Sequence, residues 1–253
     1  MSLIKEKETM EQGKNRLKKP NFLKIKNFLK KFSNIKSIKS LSNFEQRIAS
    51  SLVLIPVILY ATFLSKTLFL LLILSMTILA AFEWNNLTKS DVENKNKWLL
   101  VGFFYLLLPF YSILELRSID NNIILWLFFV VWSTDIFAYF IGKNIGGPKI
   151  MPLISPNKTW SGLIGGMLSA AIIGALSTLM FEGGILFFTI TSAFLAIVAQ
   201  TGDFFESKIK RIFGIKDSGN IIPGHGGILD RIDGLMFVAP TILIIYYLFK
   251  NNF

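Results

Sequence analysis

The chain has 253 residues, of which 52% are hydrophobic and only 17% are charged, and its mean hydropathy is +0.53. Because a soluble domain carries about 25% charged residues, this composition excludes an ordinary soluble globular protein and a disordered one. With no cysteine and one histidine, the chain lacks the residues for disulfides, thiolate metal sites and multi-histidine metal clusters. The net charge of +11 would suit nucleic acid or an anionic membrane surface, and the positions of the charges decide between them.

The chain begins with a basic tail. Residues 1–47 contain 13 Lys and Arg against four Glu. Residues 1–19 are polar and predict disorder, whereas from Pro20 onward apolar residues recur every three or four positions with lysines between them. That pattern predicts an amphipathic helix on an anionic membrane surface. We therefore divide the chain into a cytoplasmic tail, residues 1–46, and a transmembrane domain, residues 47–253, which carries the candidate site.

Seven apolar stretches are long enough to cross a bilayer, since a helical span needs roughly 17–25 mostly apolar residues. They lie at about 48–64, 66–84, 98–116, 123–142, 162–180, 185–202 and 234–250. The first two are nearly continuous and predict a tight helical hairpin, with one long broken helix as the alternative. The predicted fold class is an all-α polytopic integral membrane protein with about seven helices, and a count of eight or nine stays open.

The distribution of basic residues predicts the orientation, because cytoplasmic loops are enriched in Lys and Arg. With a cytoplasmic N-terminus, the segments 1–47, 85–97, 143–161 and 203–233 hold 13, 3, 3 and 5 basic residues, 24 in all. The opposite side holds three, Lys66, Arg117 and Lys250. The positive charge is therefore mainly a topology signal, and we expect no nucleic-acid partner.

Two polar features interrupt the middle of the chain. Asp135 lies inside the fourth apolar stretch, where a carboxylate is costly and indicates function, although a purely structural carboxylate is the alternative. The following loop reads GGPKIMPLISPNKTWSG, residues 146–162, and its glycines and prolines prevent a regular helix. It supplies donors for phosphate oxygens, or else it is an ordinary interfacial loop. These donors are Ser155, Asn157, Lys158 and Thr159.

The most polar stretch of the chain follows the sixth apolar segment. It begins with Asp203 in AQTGDFFES and continues as SKIKRIFGIKDSGNIIPGHGGILDRIDG, residues 207–234. Basic side chains and backbone N–H groups freed by glycine can hold phosphate oxygens, and carboxylates suit Mg²⁺, which prefers oxygen ligands. Asp203 and Asp230 stand at the two membrane-proximal ends of this loop, so that folding the loop back would bring their carboxylates together. A solvated loop of mixed charge, the alternative, would not explain the Gly-His-Gly-Gly cluster.

This stretch resembles the signature of the phosphatidate cytidylyltransferases, also called CDP-diacylglycerol synthases. The matching positions run from Ser207 through Lys210–Arg211, Lys216–Asp217, Gly219, Pro223 and His225–Gly226–Gly227 to Asp230–Arg231–Ile232–Asp233. The resemblance extends upstream through SPNKTWSG and WSTDIFAYFIGK to LIPVILY and AAFEWNNLTK, and covers roughly residues 47–250. The basic tail has no counterpart in the family pattern.

The resemblance implies an enzyme of phospholipid biosynthesis that converts CTP and phosphatidic acid to CDP-diacylglycerol and pyrophosphate, with Mg²⁺ as cofactor. It implies a multi-pass protein of the cell inner (plasma) membrane and suggests a homodimer. Asp203 and Asp230 are the expected metal ligands, and Asp233 is either a further ligand or orients Arg231. Lys208, Arg211 and Lys216 are expected to contact phosphate, and His225 to donate to a phosphate or orient a ligand. The remaining expected substrate-binding residues are Asp135, Ser155, Asn157, Lys158, Thr159, Ser207 and Asp217.

Three alternatives belong to other classes of function. A CTP-dependent lipid kinase of the same superfamily would give a phosphorylated lipid without cytidine. A CDP-alcohol phosphotransferase would need an Ala-Arg pair and further aspartates after Asp233–Gly234, and the sequence lacks them. A membrane transporter would suit Asp135 but would not require the phosphate-rich loop.

Overall fold

The computed structural model describes residues 43–91, 93–219 and 226–253, without the side chains of 43–51, 53 and 54. The predicted amphipathic helix of the tail and His225 lie outside the described residues. The described residues form seven α-helices: α1 Asn43–Leu64, α2 Lys66–Thr88, α3 Lys95–Ile119, α4 Asn121–Ile145, α5 Trp160–Ser177, α6 Ile185–Ile212 and α7 Leu229–Leu248. A short 3₁₀ helix, Lys250–Asn252, ends the chain.

Six of these helices, α2 to α7, are long and apolar enough to cross a membrane. In lipid every backbone polar group must be satisfied internally, and a helix does this within its own segment. In α1 the described apolar part is the shorter segment Ile55–Leu64. The chain is therefore an all-α polytopic membrane protein.

Polar residues at the helix ends fix where the helices begin. Ser65 has extended backbone and accepts a hydrogen bond from the Leu68 amide, so it separates α1 from α2 and caps α2. Asp120 caps α4 by accepting from the Asn122 amide at 2.8 Å. Such caps satisfy amides that have no partner inside the helix.

A two-stranded antiparallel hairpin lies between α4 and α5. It consists of β1 Lys149–Met151 and β2 Ser155–Thr159, with Lys149 opposite Thr159. This is a small departure from the predicted all-α fold, in the loop where glycine and proline prevent a helix. Gly146, at a φ of 69°, ends α4 in a conformation that glycine adopts readily, and Thr159 caps α5 through the Gly162 amide at 3.1 Å.

Small residues bring α4 and α5 together. A Cβ at Gly162 would lie 2.7 Å from the Ala138 carbonyl oxygen, and one at Gly166 would lie 3.1 Å from the Thr134 carbonyl oxygen. Close approach of backbones at small residues is how helices pack in membranes. This contact fixes the position of the hairpin at the end of the helix pair.

Aromatic side chains fill the opposite end of the bundle. Trp126 is fully buried, donates to Ser192 Oγ at 3.0 Å and meets Phe188 edge to face at 5.3 Å. Phe253 packs on the same ring at 5.9 Å. This cluster anchors the C-terminus, away from the polar loops that follow α4 and α6.

Candidate active site

The hairpin and α6 are joined by an ion pair. Lys158, on β2, contacts Asp203 on α6 and donates to Gln200 Oε1 at 2.9 Å. Arg211, two turns further along α6, donates to the Ile154 carbonyl oxygen at 3.3 Å. The two polar segments that the sequence selected separately therefore lie side by side, and Lys158 and Asp203 belong to one cluster.

Helix α6 presents a row of charged side chains toward α7. Ser207 Oγ donates to Asp203 Oδ1 at 3.2 Å, and one turn further Lys210 Nζ lies 2.6 Å from Asp230 Oδ1. Residues three or four positions apart share one face of a helix, which is why Asp203, Ser207 and Lys210 form this row. Asp203 and Asp230 thus each have a lysine partner of their own.

Asp230 closes the loop that connects α6 to α7. Its Oδ2 accepts from the Ser218 amide and hydroxyl, both at 3.0 Å, and from the Gly227 amide at 2.9 Å. Gly226, at a φ of 85°, allows the turn that precedes this contact. With Lys210 included, one carboxylate holds both sides of the loop.

Glu83, near the end of α2, is a site residue that the sequence analysis missed. Its side chain is 2% exposed and accepts from the amides of Ile228 and Leu229, at 2.9 and 3.0 Å, and from Ser218 Oγ at 3.2 Å. Acidic side chains are favourable at a helix N-terminus, where amides lack partners. The sequence does indicate this residue, because Glu83 is a carboxylate in the apolar run AAFEWNN.

Glu206 is a second carboxylate that the sequence analysis did not select. It is 1% exposed and lies 3.1 Å from Lys210 Nζ, yet within the described residues neither of its oxygens has a hydrogen-bond partner. It occupies α6 between Asp203 and Lys210 and places two further carboxyl oxygens at the centre of the row. Its position inside the polar sequence GDFFES gave no separate signal.

Asp135 and Asp233 border this cluster from α4 and α7. Asp135 accepts from Gln200 Nε2 at 3.4 Å and lies within electrostatic reach of Lys158 and Asp203. Asp233 lies within electrostatic reach of Asp203 and Lys158 as well. The membrane-embedded carboxylate that the sequence selected in α4 is therefore close to the row on α6.

The other predicted residues divide into structural and exposed positions. Thr159 is buried as the cap of α5, and Ser155 is half-buried on β2. Six predicted residues are exposed; these are Asn157, Lys208, Arg211, Lys216, Asp217 and Arg231. Their roles stay predictions.

The donor set of this site is carboxylate oxygens with lysine ammonium groups. Across residues 43–91, 93–219 and 226–253, no three His, Asp or Glu side chains gather in an arrangement that could hold a metal ion. The arrangement can bind phosphate oxygens through its cations, and its carboxylates are donors of the kind that hard cations prefer.

Fold and site together define a polytopic membrane protein with a charged cluster where its helices end. The chain belongs to the cytidylyltransferase family, whose model matches residues 94–249. It is an enzyme, a nucleotidyltransferase, and the resemblance found in the sequence is confirmed.

Curated relatives carry a more specific name. A protein of Rickettsia bellii is 42% identical over 218 residues, which are 82% of this chain and 92% of the relative. One of Rickettsia felis is 39% identical over 218 residues, covering 82% of this chain and 94% of the relative. One of Brucella abortus biovar 1 is 45% identical over 158 residues, 61% of this chain and 58% of the relative. All three are named phosphatidate cytidylyltransferase.

Proposed function

We propose that the chain transfers CMP from CTP to phosphatidic acid and releases pyrophosphate, giving CDP-diacylglycerol. The observation that carries the proposal is the presence of two ion pairs, Lys158–Asp203 and Lys210–Asp230. Both lie where apolar helices end in polar loops. A lipid phosphate held at the membrane surface and a nucleotide from water can meet at such a place. The names of the curated relatives support the same reaction.

In the proposed reaction a phosphate oxygen of phosphatidic acid attacks the α-phosphorus of CTP. A new P–O bond forms to the α-phosphorus, and the bond to the β-phosphate oxygen breaks with its electron pair leaving on pyrophosphate. The nucleophile is already an anion, so the reaction needs no strong general base. Positioning and electrostatic stabilisation carry the rate in phosphoryl transfer.

The main barrier is repulsion between two anionic substrates, which the cations of the site would relieve. Lys158 and Lys210 are anchored by carboxylates at the centre of the cluster, so their ammonium groups are held in place. Arg211 and Lys216 are exposed nearby on the polar side, where they would bind the CTP phosphates. Asn157 and Ser155 would contribute neutral donors from the hairpin, and His225 a further donor.

We further propose Mg²⁺ as the cofactor, with Asp203 and Asp230 as ligands. The carboxylate oxygens fit a hard cation, and the buried Glu206, whose oxygens lack hydrogen-bond partners among the described residues, offers additional donors beside them. When bound, Mg²⁺ would offset the negative charge of the phosphates and of the leaving pyrophosphate. The chain itself supplies the lysines that orient both carboxylates.

The distribution of basic residues supports a proposal for the orientation of the chain in the membrane. The excess of Lys and Arg on alternate connecting segments supports a cytoplasmic N-terminus and a site that opens to the cytoplasm. We also propose that the chain lies in a bacterial inner membrane and forms a homodimer.

The product formed from CTP and phosphatidic acid tests this function. Membranes containing the chain, with radiolabelled CTP and phosphatidic acid, should form a lipid that carries cytidine. A lipid labelled from the γ-phosphate of CTP, and not from its cytosine, would instead identify a lipid kinase. The absence of labelled lipid with either label would reject the proposed reaction.

Substitution of the two carboxylates tests the site within the same assay. Asp203→Asn and Asp230→Asn keep the side-chain shape but remove the charge, and each should lower turnover by about 10²-fold, the scale of losing one electrostatic contributor. Raising Mg²⁺ should partly restore turnover. Asp120→Asn is the matched control, since Asp120 caps α4 and Asn caps helices equally well. Normal turnover per folded molecule in both site variants would eliminate the metal assignment.

A further inference from the structure

A membrane-level cavity lies between α3, α6 and α7. It has a volume of about 510 Å³ and is lined by apolar side chains from all three helices. On α3 these include Phe104 and Leu108, which are exposed on the outer surface of the helices. On α7 the lining residues include the apolar Phe237 and the polar Thr241. A volume in the range of roughly 300–1,000 Å³ is typical of small-molecule sites.

The inner wall of this cavity is shared with the charged cluster. Phe205 lines the cavity and directly precedes Glu206, while Phe237 lies one helical turn after Asp233. Helices α6 and α7 therefore each present an apolar residue to the cavity and a carboxylate to the cluster. The cavity therefore lies next to the place where the reacting phosphate is proposed to bind.

Tyr105 stands at this junction. Its ring lines the cavity and packs on Phe205 at 5.1 Å and on Trp84 at 5.3 Å. The residue is 8% exposed, and its hydroxyl has no hydrogen-bond partner within the described part of the chain. The hydroxyl also lies within electrostatic reach of Glu206 and Asp233. A buried hydroxyl without a partner costs free energy, so a ligand oxygen that reached it would stabilise the site.

We propose that this cavity holds an acyl chain of phosphatidic acid and that the Tyr105 hydroxyl donates a hydrogen bond to an ester carbonyl oxygen of the lipid. The proposal rests on the proposed function. A neutral carbonyl oxygen suits a position beside carboxylates, where a second anion would be repelled. A diacyl lipid also matches the order of these surfaces. Its acyl chain would lie in the cavity, its ester at Tyr105 and its phosphate at the lysines.

Among possible occupants, an acyl chain fits better than a helix of a second copy. Helices in membranes associate through small residues. The lining on α3 and α7 is instead bulky, with Phe104, Leu108 and Phe237. A lipid chain can follow such a surface because its bonds rotate freely.

Photolabelling tests the occupant without requiring turnover. A phosphatidic acid with a photoreactive diazirine in one acyl chain should label residues 100–108 and 236–241 of the full chain in detergent or vesicles. Excess unlabelled phosphatidic acid should suppress this labelling, and excess phosphatidylcholine should not. Labelling that is not suppressed, or suppressible labelling confined to other helices, would overturn the proposal. A disulfide formed between two copies of a Phe104→Cys variant would also overturn it.

Two substitutions test the contacts. Tyr105→Phe removes only the hydroxyl, and it should raise KM for phosphatidic acid about fivefold, the scale of one neutral hydrogen bond, without changing KM for CTP or lowering the melting temperature. Thr241→Trp fills the cavity and should slow turnover of long-chain phosphatidic acid far more than that of a short-chain one. Ile244→Trp, on the exposed side of α7, is the control and should leave chain-length preference unchanged.

These results separate the two proposals. Suppressible labelling of the cavity without any cytidine-containing product would keep the acyl-chain site and reject the proposed function. Normal product with chain-length preference unchanged in Thr241→Trp, and KM unchanged in Tyr105→Phe, would reject the acyl-chain site and leave the function standing.

Discussion

Replacing Glu83 by glutamine tests whether a carboxylate on α2 positions the loop between α6 and α7. Glu83 accepts a hydrogen bond from the amide of Ile228, which lies 145 residues later in the sequence. With the bonds from Leu229 and Ser218, it accepts three hydrogen bonds in a buried position. Glutamine has nearly the same shape but only one carbonyl oxygen. We expect the variant to fold with a loosened loop, and therefore with a higher KM for CTP.

The magnitude follows from the contacts that glutamine cannot make. The carbonyl oxygen at the position of Oε2 would keep the bonds to Leu229 and Ser218, but the amide NH₂ at the position of Oε1 would face the Ile228 N–H. Losing one hydrogen bond to a charged group costs about 1.5–3 kcal/mol, and the buried unpaired donors add to that cost. We expect the free energy of unfolding to fall by about 2–4 kcal/mol.

The assay combines thermal unfolding in detergent with steady-state kinetics for both substrates. Glu115→Gln is the matched control, because Glu115 accepts a single exposed hydrogen bond from the Tyr247 hydroxyl at 3.1 Å, and it should change stability by less than about 0.5 kcal/mol. In combination with Ser218→Ala, the cost of Glu83→Gln should be less than additive, since the two side chains are in contact. A Glu83→Gln variant with the parent's melting temperature and the parent's KM for CTP would refute this reasoning.

Three further predictions concern the loop, the tail and the topology. Gly227→Ala should abolish activity and lower the melting temperature, because its Cβ would lie 2.1 Å from Ser218 Oγ, whereas Gly184→Ala, with nothing within 4 Å, should be neutral in the same measurements. Deletion of residues 2–40 should leave specific activity in detergent within a few-fold of the parent, and total loss in a folded protein would show that the tail belongs to the site. A cysteine added after Phe253 should react with an impermeant reagent from outside the cell, and reaction only from the cytoplasmic side would contradict an odd number of spans.

Hydropathy predicted the positions of the helices well because lipid leaves the backbone few other choices. Each of the seven predicted stretches falls on an α-helix. The ends were less predictable. Helix α6 continues to Ile212, beyond the predicted end at 202, and α7 begins at Leu229 instead of 234. These extra turns are polar and carry no hydropathy signal, yet they hold Lys210 and Asp230.

The cluster was predicted in its residue types but not in its pairings. The sequence selected Asp203 and Asp230 and expected their carboxylates to meet when the loop folds back. In the structure each carboxylate contacts a lysine, Lys158 or Lys210, and the sequence did not indicate these pairs. Glu83 was missed although the rule that selected Asp135 applies to it equally. Contacts across 45 and 145 residues depend on how helices pack, which a single sequence does not specify.

The glycine contacts between α4 and α5 also determine how a lipid diffusing within the bilayer can approach the charged cluster. An added Cβ would lie 2.7 Å from the Ala138 carbonyl oxygen at Gly162 and 3.1 Å from the Thr134 carbonyl oxygen at Gly166, so these gaps are narrower than a hydrocarbon tail. The same holds between α5 and α6, where a Cβ at Gly174 would lie 2.2 Å from the Phe188 carbonyl oxygen. A lipid cannot pass between α4 and α5 or between α5 and α6. A lipid substrate or product therefore has to enter and leave the site between other helices.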